Sequence, residues 1–377
     1  MIRDARRASA NLRLNLLMSL ALANLLGCGA IFPTAPDPSV DLVFNVDEPT
    51  QAINAHDGPR SRTAPIATHI EGKSGCHAAT IIALDDGELL AAWYSYEGPH
   101  ELDGSAIYLA RLRVGSTSWD PPSLHRDARR GLGNPVLYAE GDRIWLFHAV
   151  VPGGWSTSSI EFQISDDRGV TWSPPRPIVG PIGSNVHAPP VRTHSGSLVL
   201  PAYDDLLQRC LFFESADGST WSLNSTVATP WPYRALQPAA VVLESGRILT
   251  VMRNLGKGWL WVMASDDEGG RWSQPIDSGF PNPASPAALI RLAQGHLLMV
   301  YNDSNLQRRP LSVALSADEG RTWPYRRVLA DGKVTYSYPA ATQSPDGMIH
   351  VVYSHGREYI AHAAFNKAWV VEADSSP

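Results

Sequence analysis

A hairpin that recurs at a nearly fixed interval constrains this chain more than any other feature. The pattern is an apolar run, a turn with Gly, and a second apolar run. It reads TIIALDDGELLAAWY, PVLYAEGDRIWLFHA, PPVRTHSGSLVLPAY, PAAVVLESGRILTVMR, PAALIRLAQGHLLMVYN and PAATQSPDGMIHVVYS. The turn glycines are Gly87, Gly141, Gly196, Gly246, Gly295 and Gly347, at intervals of 54, 55, 50, 49 and 52 residues. Short apolar runs around Gly turns are strands, and self-similarity at such a period signals a repeat architecture. Each unit has room for four strands, so the expected fold is all-β, a six-bladed β-propeller. A β-sandwich with coincidental turns would not keep this regularity. Length alone, 377 residues, would permit two domains; the repeat makes the propeller one.

A second motif rides on the same period. ISDDRGVTWS begins at Ile164, SDDEGGRWS at Ser265, SADEGRTWP at Ser316 and the shorter SADGSTWS at Ser215. Each follows a hairpin and a further apolar run, which puts it between the third and fourth strands of a blade. Asp at a turn bonds its own backbone, Gly supplies positive φ, and Trp fills space between blades. Four equivalent turns on separate blades cannot converge on one substrate, so the motif is structural. Blade one keeps only VGSTSW. A strand from near residues 64–70 is expected to complete the last blade, because closure removes a free sheet edge.

The N-terminus reads separately. Arg3, Arg6, Arg7 and Arg13 precede LNLLMSLALANLL, and LLGCGA follows. A charged start, a short apolar run and small residues make an export signal, too short for a comfortable membrane span. The Leu-x-Gly-Cys ending resembles the bacterial lipoprotein signal, with Cys28 as the lipidated residue; a plain cleaved signal is the alternative. The expected organisation is a signal at 1–28, a tether rich in Pro and polar residues at 29–62, and a propeller at 63–370. This points to the bacterial cell envelope or secretion, with membrane contact only through the lipid anchor. Cys76 and Cys210 are expected to be free and buried. No Cys/His cluster has zinc-ligand spacing, and no cofactor is indicated. A net charge of -6 gives no basic footprint for nucleic acid.

The period also locates a site. The innermost strands of a propeller begin around one mouth, and each hairpin returns its second strand to that face. About nine residues before the turn glycines stand His77, Asn134, His187, Gln237, Ser285 and Tyr338. About seven after them stand Tyr94, His148, Tyr203, Arg253, Asn302 and Ser354. Arg308 and Arg309 lead into the strand PLSVALS, and the acidic stretch YEGPHELDG follows the first hairpin. Arg253 and Arg309 over one axis imply an anionic ligand, since each guanidinium grips a carboxylate bidentately.

From CHAATI, GNPVL, NPASPAALIRLAQGHLLMVYND, RRPLSVALSADEGRTWP and YSYPAATQSPDGMIHVVYS, the chain resembles the sialidase-like propellers of the BNR-repeat, or Asp-box, superfamily. The likeness covers residues 64–365. It implies an acidic sugar of a glycan as substrate, a Tyr nucleophile at Tyr338, and carboxylate-binding arginines at Arg253 and Arg309. It also implies an acid/base Asp from the loop after the first hairpin, where Asp103 matches best, with Glu101 and Glu97 as substitutes. His187, Asn134, Asn302 and Tyr203 complete the expected substrate-binding set.

Two positions depart from that pattern. His77 stands where the first arginine belongs, and Gln237 stands where the Tyr's partner Glu belongs. A phenol titrates near pH 10 and needs a base to attack at neutral pH; Gln can orient it but not deprotonate it. Four readings follow from the residues. The first is exo-sialidase-like hydrolysis by Tyr338 with Asp103, Gln237 and His77 around it. The second is another glycan chemistry, such as β-elimination from a uronate with His77 or His187 as base. The third is a non-catalytic glycan-binding propeller, using Trp93, Tyr94, Tyr96 and Trp231 to stack sugars, and the fourth a structural interaction module.

Overall fold

The computed structural model describes Leu42, Phe44 and residues 58–67, 70–127, 130–229, 234–256 and 258–372. The expected signal with Cys28, and Trp231, lie outside the described residues.

Alternating and fully apolar runs become strands, and among the described residues these form six antiparallel sheets. Blade one is Gly75–Ala83, Leu89–Tyr96, Ala106–Leu112 and Ser123–Arg126; blade two is Gly131–Glu140, Arg143–Val151, Ser159–Ser165 and Arg176–Ile178. In blade three the inner strand is split into Ser184–Val186 and Val191–Arg192, followed by Leu198–Asp204, Arg209–Ser215 and Ser222–Val227. Pro189 and Pro190 fall in that break, since neither has an N–H for the ladder. Blade four is Ala235–Val242, Ile248–Asn254, Trp259–Ser265 and Ile276–Pro281; blade five is Ala288–Arg291, Leu297–Asn302, Leu311–Ser316 and Tyr325–Ala330.

Blade six joins the two ends of the fold. Its strands Tyr336–Gln343, Ile349–His355 and Tyr359–Phe365 are completed by Ser61–Ala67, which pairs antiparallel with the last of them. The closing strand thus starts a few residues earlier than the sequence suggested. Asn366 holds the junction: it accepts from Arg60 N at 2.9 Å, donates to Gly58 O at 2.9 Å, and caps the helix Lys367–Val371. The expected tether is not wholly separate from the propeller. Phe44 lies 5.9 Å from the Phe280 ring and 5.8 Å from that of Trp323, at the seam of blades four and five.

The Ser-x-Asp turns sit at the end of the blades opposite the inner-strand starts, and they bind blade to blade. In the turn of blade two the Ser165 hydroxyl donates to Asp167 at 2.7 Å and accepts from Gly169 N at 2.7 Å, while Asp167 takes Thr171 N at 2.8 Å. Ser265–Gly269 and Ser316–Gly320 repeat the pattern. Each turn packs on the preceding blade. A Cβ on Gly218 would sit 2.7 Å from the Trp145 ring, and Trp272 stacks on Phe212 with ring centres 4.0 Å apart. Trp272 and Trp323 are buried at 1% and 0% exposure, so these tryptophans are inter-blade core. Cys76 and Cys210 are buried and unpaired.

One local device sets up the site. Inner strands of blades one, two, four and six each lose register near their start, at His77/Thr80, Gly133/Val136, Leu236/Ala239 and Ser337/Ala340. At the breaks Ala78, Asn134, Gln237 and Tyr338 have φ of 48, 46, 53 and 54°. In three of the four the next residue is Pro: Pro135, Pro238 and Pro339. Proline cannot donate to the ladder, so it is tolerated in an interior strand at a bulge. The bulge in turn redirects the side chain before it.

Candidate active site

Three bulge residues of different blades meet at the mouth. Asn134, Gln237 and Tyr338 line a pocket of about 230 Å³, together with Tyr203 and Arg253 from the ends of second strands. The loops after the second strands add Glu101, Trp155, Asp205, Arg308 and Arg357, and Leu236 of the blade-four inner strand completes the wall. A larger cavity of about 390 Å³ lies by Leu42, Leu249 and Gly320 at the turn-bearing end. The convergence of titratable groups and bulged strands marks the smaller pocket as the site.

Gln237 is the hub. Arg253 Nη1 donates to its Oε1 at 2.9 Å, which fixes the amide so that Nε2 donates to Tyr338 Oη at 3.1 Å. Tyr203 Oη lies 3.5 Å from the same Nε2 and accepts from Asn134 Nδ2 at 3.2 Å. Burial raises the Tyr203 pKa well above the ordinary phenol value, with Tyr338 and Asp205 adding to it. Burial also raises that of Asp205, against the pull of Arg253. Tyr338 is flanked by the Arg308 guanidinium, 5.9 Å from its ring centre. Burial lowers the Arg308 pKa. Arg357 is opposed by burial, yet Glu101 and the neighbouring tyrosines outweigh this and raise its pKa.

Not every residue anticipated from the sequence reaches the pocket. Arg309 points away, its Nε on Gln307 at 2.6 Å, while its neighbour Arg308 turns in. Arg308 stands in a bend of the loop before the strand Leu311–Ser316, so the course of that loop, and not a strand alternation, decides which arginine meets the ligand. Asp103 is exposed and accepts from His100 N at 3.3 Å, shaping the loop that carries Glu101 inward. Asn302 is fully buried behind the site. It accepts from Ser285 at 2.7 Å and donates to Tyr336 O at 2.9 Å, so it braces the strand of Tyr338. His148 is buried inside blade two beside Arg126.

The histidines lie beside Tyr338 rather than in front of it. The His77 ring centre is 4.3 Å from that of Tyr338, and its Nδ1 is 2.8 Å from Ser354 Oγ. Burial, then Arg357, Arg308 and His187, hold its pKa well below the ordinary value. His187 meets the Tyr338 ring edge-on at 5.6 Å, and burial pushes its pKa down to about 4. Trp93 is core. Sequence reasoning missed Trp155, Asp205 and Arg357. The signal for them was positional: each stands in a loop after a second strand, as Glu101 and Arg308 do. Among the described residues no cluster of His, Cys, Asp and Glu could hold a metal ion, and no helix is long and apolar enough to cross a membrane.

Residues 87–351 match the BNR repeat-like domain. The chain belongs to that family. Over 164 residues the BNR propeller is 29% identical to a sialidase of Micromonospora viridifaciens, a stretch covering 41% of this chain and 24% of that enzyme. The aligned part is thus about a quarter of the curated relative's length. Among solved structures, a protein of unknown function from Dyadobacter fermentans superposes with a TM-score of 0.69 at 19% identity, covering 82% of this chain and 99% of that one. The intramolecular trans-sialidase of Ruminococcus gnavus, in complex with oseltamivir carboxylate, gives a TM-score of 0.70 at 14% identity, covering 80% and 96%. At these identities the structural likenesses establish the fold, a six-bladed sialidase-like propeller.

Proposed function

We propose that this BNR propeller is a sialidase-like exo-glycosidase that removes a carboxylated sugar from a glycan. One observation carries the reading: Arg253, Arg308 and Arg357 surround a tyrosine whose oxygen already accepts a hydrogen bond from Gln237. Three cations around one small pocket fit a ligand with a single carboxylate. In this scheme Tyr338 Oη bonds to the anomeric carbon as the glycosidic bond breaks. Glu101 gives its proton to the departing oxygen, in the role the sequence suggested for Asp103. The phenol proton passes to Asp205, the pocket's second carboxylate among the described residues, which burial makes a better proton holder than an ordinary aspartate. Water then takes the reverse path. Gln237 orients the phenol and steadies the developing phenolate.

Elimination by a histidine base has less support. His77 and His187 are absent from the pocket wall, and burial weakens both as bases. The deciding experiment incubates the protein with sialosides and uronic-acid oligosaccharides and follows products by mass spectrometry. Free sialic acid, lost in Tyr338→Phe, is the expected result. An unsaturated uronate would move the chemistry to a lyase, and absence of product from both classes would leave a glycan binder.

A further inference from the structure

Glu101 is built into the site in an unusual way. Its Oε1 accepts the Trp155 indole N–H at 3.0 Å, which anchors it from blade two. Its Oε2 lies 2.7 Å from Arg357 Nη1, an arginine supplied by blade six. Yet Oε2 is buried and no hydrogen bond is aligned on it from any described residue. The same guanidinium also lies near Tyr96, whose pKa it pulls down against the effect of burial. The charged and titratable groups facing Glu101 are Arg357, Arg308, Tyr94 and Tyr96. Arg357 is therefore the close counter-ion of Glu101 in the free protein, held by charge rather than by a directed bond.

A carboxylate arriving in this pocket competes for the same guanidinium. A ligand carboxylate that engages Arg357 through two parallel N–H bonds makes a stronger contact than Glu101 does at a single misdirected one. Two carboxylates that compete for one cation disfavour each other's charge. Of the two, the ligand also reaches Arg253 and Arg308, whereas Glu101 would keep only a neutral indole N–H.

We propose that ligand binding loads the acid: the carboxylate of the sugar displaces Glu101 from Arg357, and Glu101 takes up a proton from solvent. This rests on the reading that a carboxylated sugar occupies the pocket. The free protein then holds Glu101 as a carboxylate, unable to donate, and the complex holds it as the acid. The proton taken up on binding goes to the aglycone oxygen when the C–O bond breaks. Glu101, again a carboxylate, recovers a proton from the water whose hydroxide adds to the anomeric carbon. Asp205 meanwhile returns the phenol proton to Tyr338, so the cycle balances. It also ties recognition to chemistry, because a neutral sugar cannot arm the acid.

The test reads protons rather than turnover. The full chain is titrated at pH 6 with 2-deoxy-2,3-didehydro-N-acetylneuraminic acid, and separately with D-glucuronic acid, by calorimetry. Each titration is run in phosphate and in imidazole, two buffers with different ionisation heats. The expected result is an uptake of about one proton per ligand bound. Glu101→Gln should bind about tenfold more tightly, because Arg357 is freed, and should take up no proton. Binding without uptake in the wild type overturns the proposal and leaves the carboxylate reading standing. So does uptake that persists in Glu101→Gln, which would assign the proton to another group. Uptake with glucuronic acid alone supports the proposal and changes the sugar. Failure of both acids to bind overturns the carboxylate reading and the proposal with it.

Discussion

Gln237 Nε2 donates to Tyr338 Oη at 3.1 Å, and the other end of the same amide is held by Arg253 at 2.9 Å. The residue is therefore locked in the orientation that serves the phenol oxygen as a donor. It supports negative charge on that oxygen and offers nothing to accept its proton.

Gln237→Glu should accordingly raise turnover. A carboxylate at this position keeps the Arg253 contact and adds a base against Tyr338, and positioned bases contribute about 10²–10⁴-fold. An increase in kcat of about tenfold or more on a fluorogenic sialoside is expected, with KM little changed. A fall in kcat would mean that the amide's N–H, and not a missing base, limits the reaction.

Arg308 and Arg309 should separate cleanly. Arg308→Ala removes a pocket cation and is expected to weaken binding of a carboxylated sugar by about 10–100-fold, in the range of a charge-assisted hydrogen bond. Arg309→Ala should stay within about twofold, since its side chain bonds Gln307 outside the pocket. Calorimetric titration of both variants measures this, and equal losses would contradict the placement.

Acid should loosen the fold before it affects most surface charges. Where blade six meets its closing strand, His350 Nδ1 and His362 Nε2 are 3.0 Å apart, and Trp119 Nε1 donates to His362 Nδ1 at 3.2 Å. Burial pushes His350 down to about 4 and His362 down to about 3, with Arg62 of the closing strand acting in the same direction. An ordinary histidine titrates near 6.5, so below that pH the unfolded chain binds protons that the folded chain refuses. Stability is then lost as pH falls from about 6.5 towards 4, by at most about 1.4 kcal/mol per pH unit for each such histidine. Thermal melts from pH 7 to pH 4.5 should show this slope, and His362→Asn should lessen it by one histidine's share, since His350, His187 and His77 keep theirs.

The inter-blade turns should matter for stability and not for chemistry. Gly218 has φ 68° and its missing Cβ would lie 2.7 Å from the Trp145 ring. Gly218→Ala combines a strained backbone with overpacking and should cost about 1–3 kcal/mol. Denaturant unfolding would report the loss, while ligand affinity at the opposite end stays unchanged.

The repeat alone determined a large part of this protein. The glycine spacing fixed six blades because strand pairing and turn chemistry are local and each copy obeys the same rules. The bulge residues were legible for a related reason. Asn-Pro, Gln-Pro and Tyr-Pro at the start of inner strands announce a break in the ladder, and the three bulged side chains line one pocket. Arg253 followed from its place at the end of a second strand.

The loops between second and third strands were decided only in three dimensions. Arg308 rather than Arg309, and Glu101 rather than Asp103, enter the pocket, and nothing in either short segment ranks one above the other. The contacts that choose are distant in sequence: Trp155 and Arg357 hold Glu101, and Arg308 packs over Tyr338. Side-chain direction in an irregular loop depends on which partners the fold has already gathered. A strand carries its own period of two, and a loop has none.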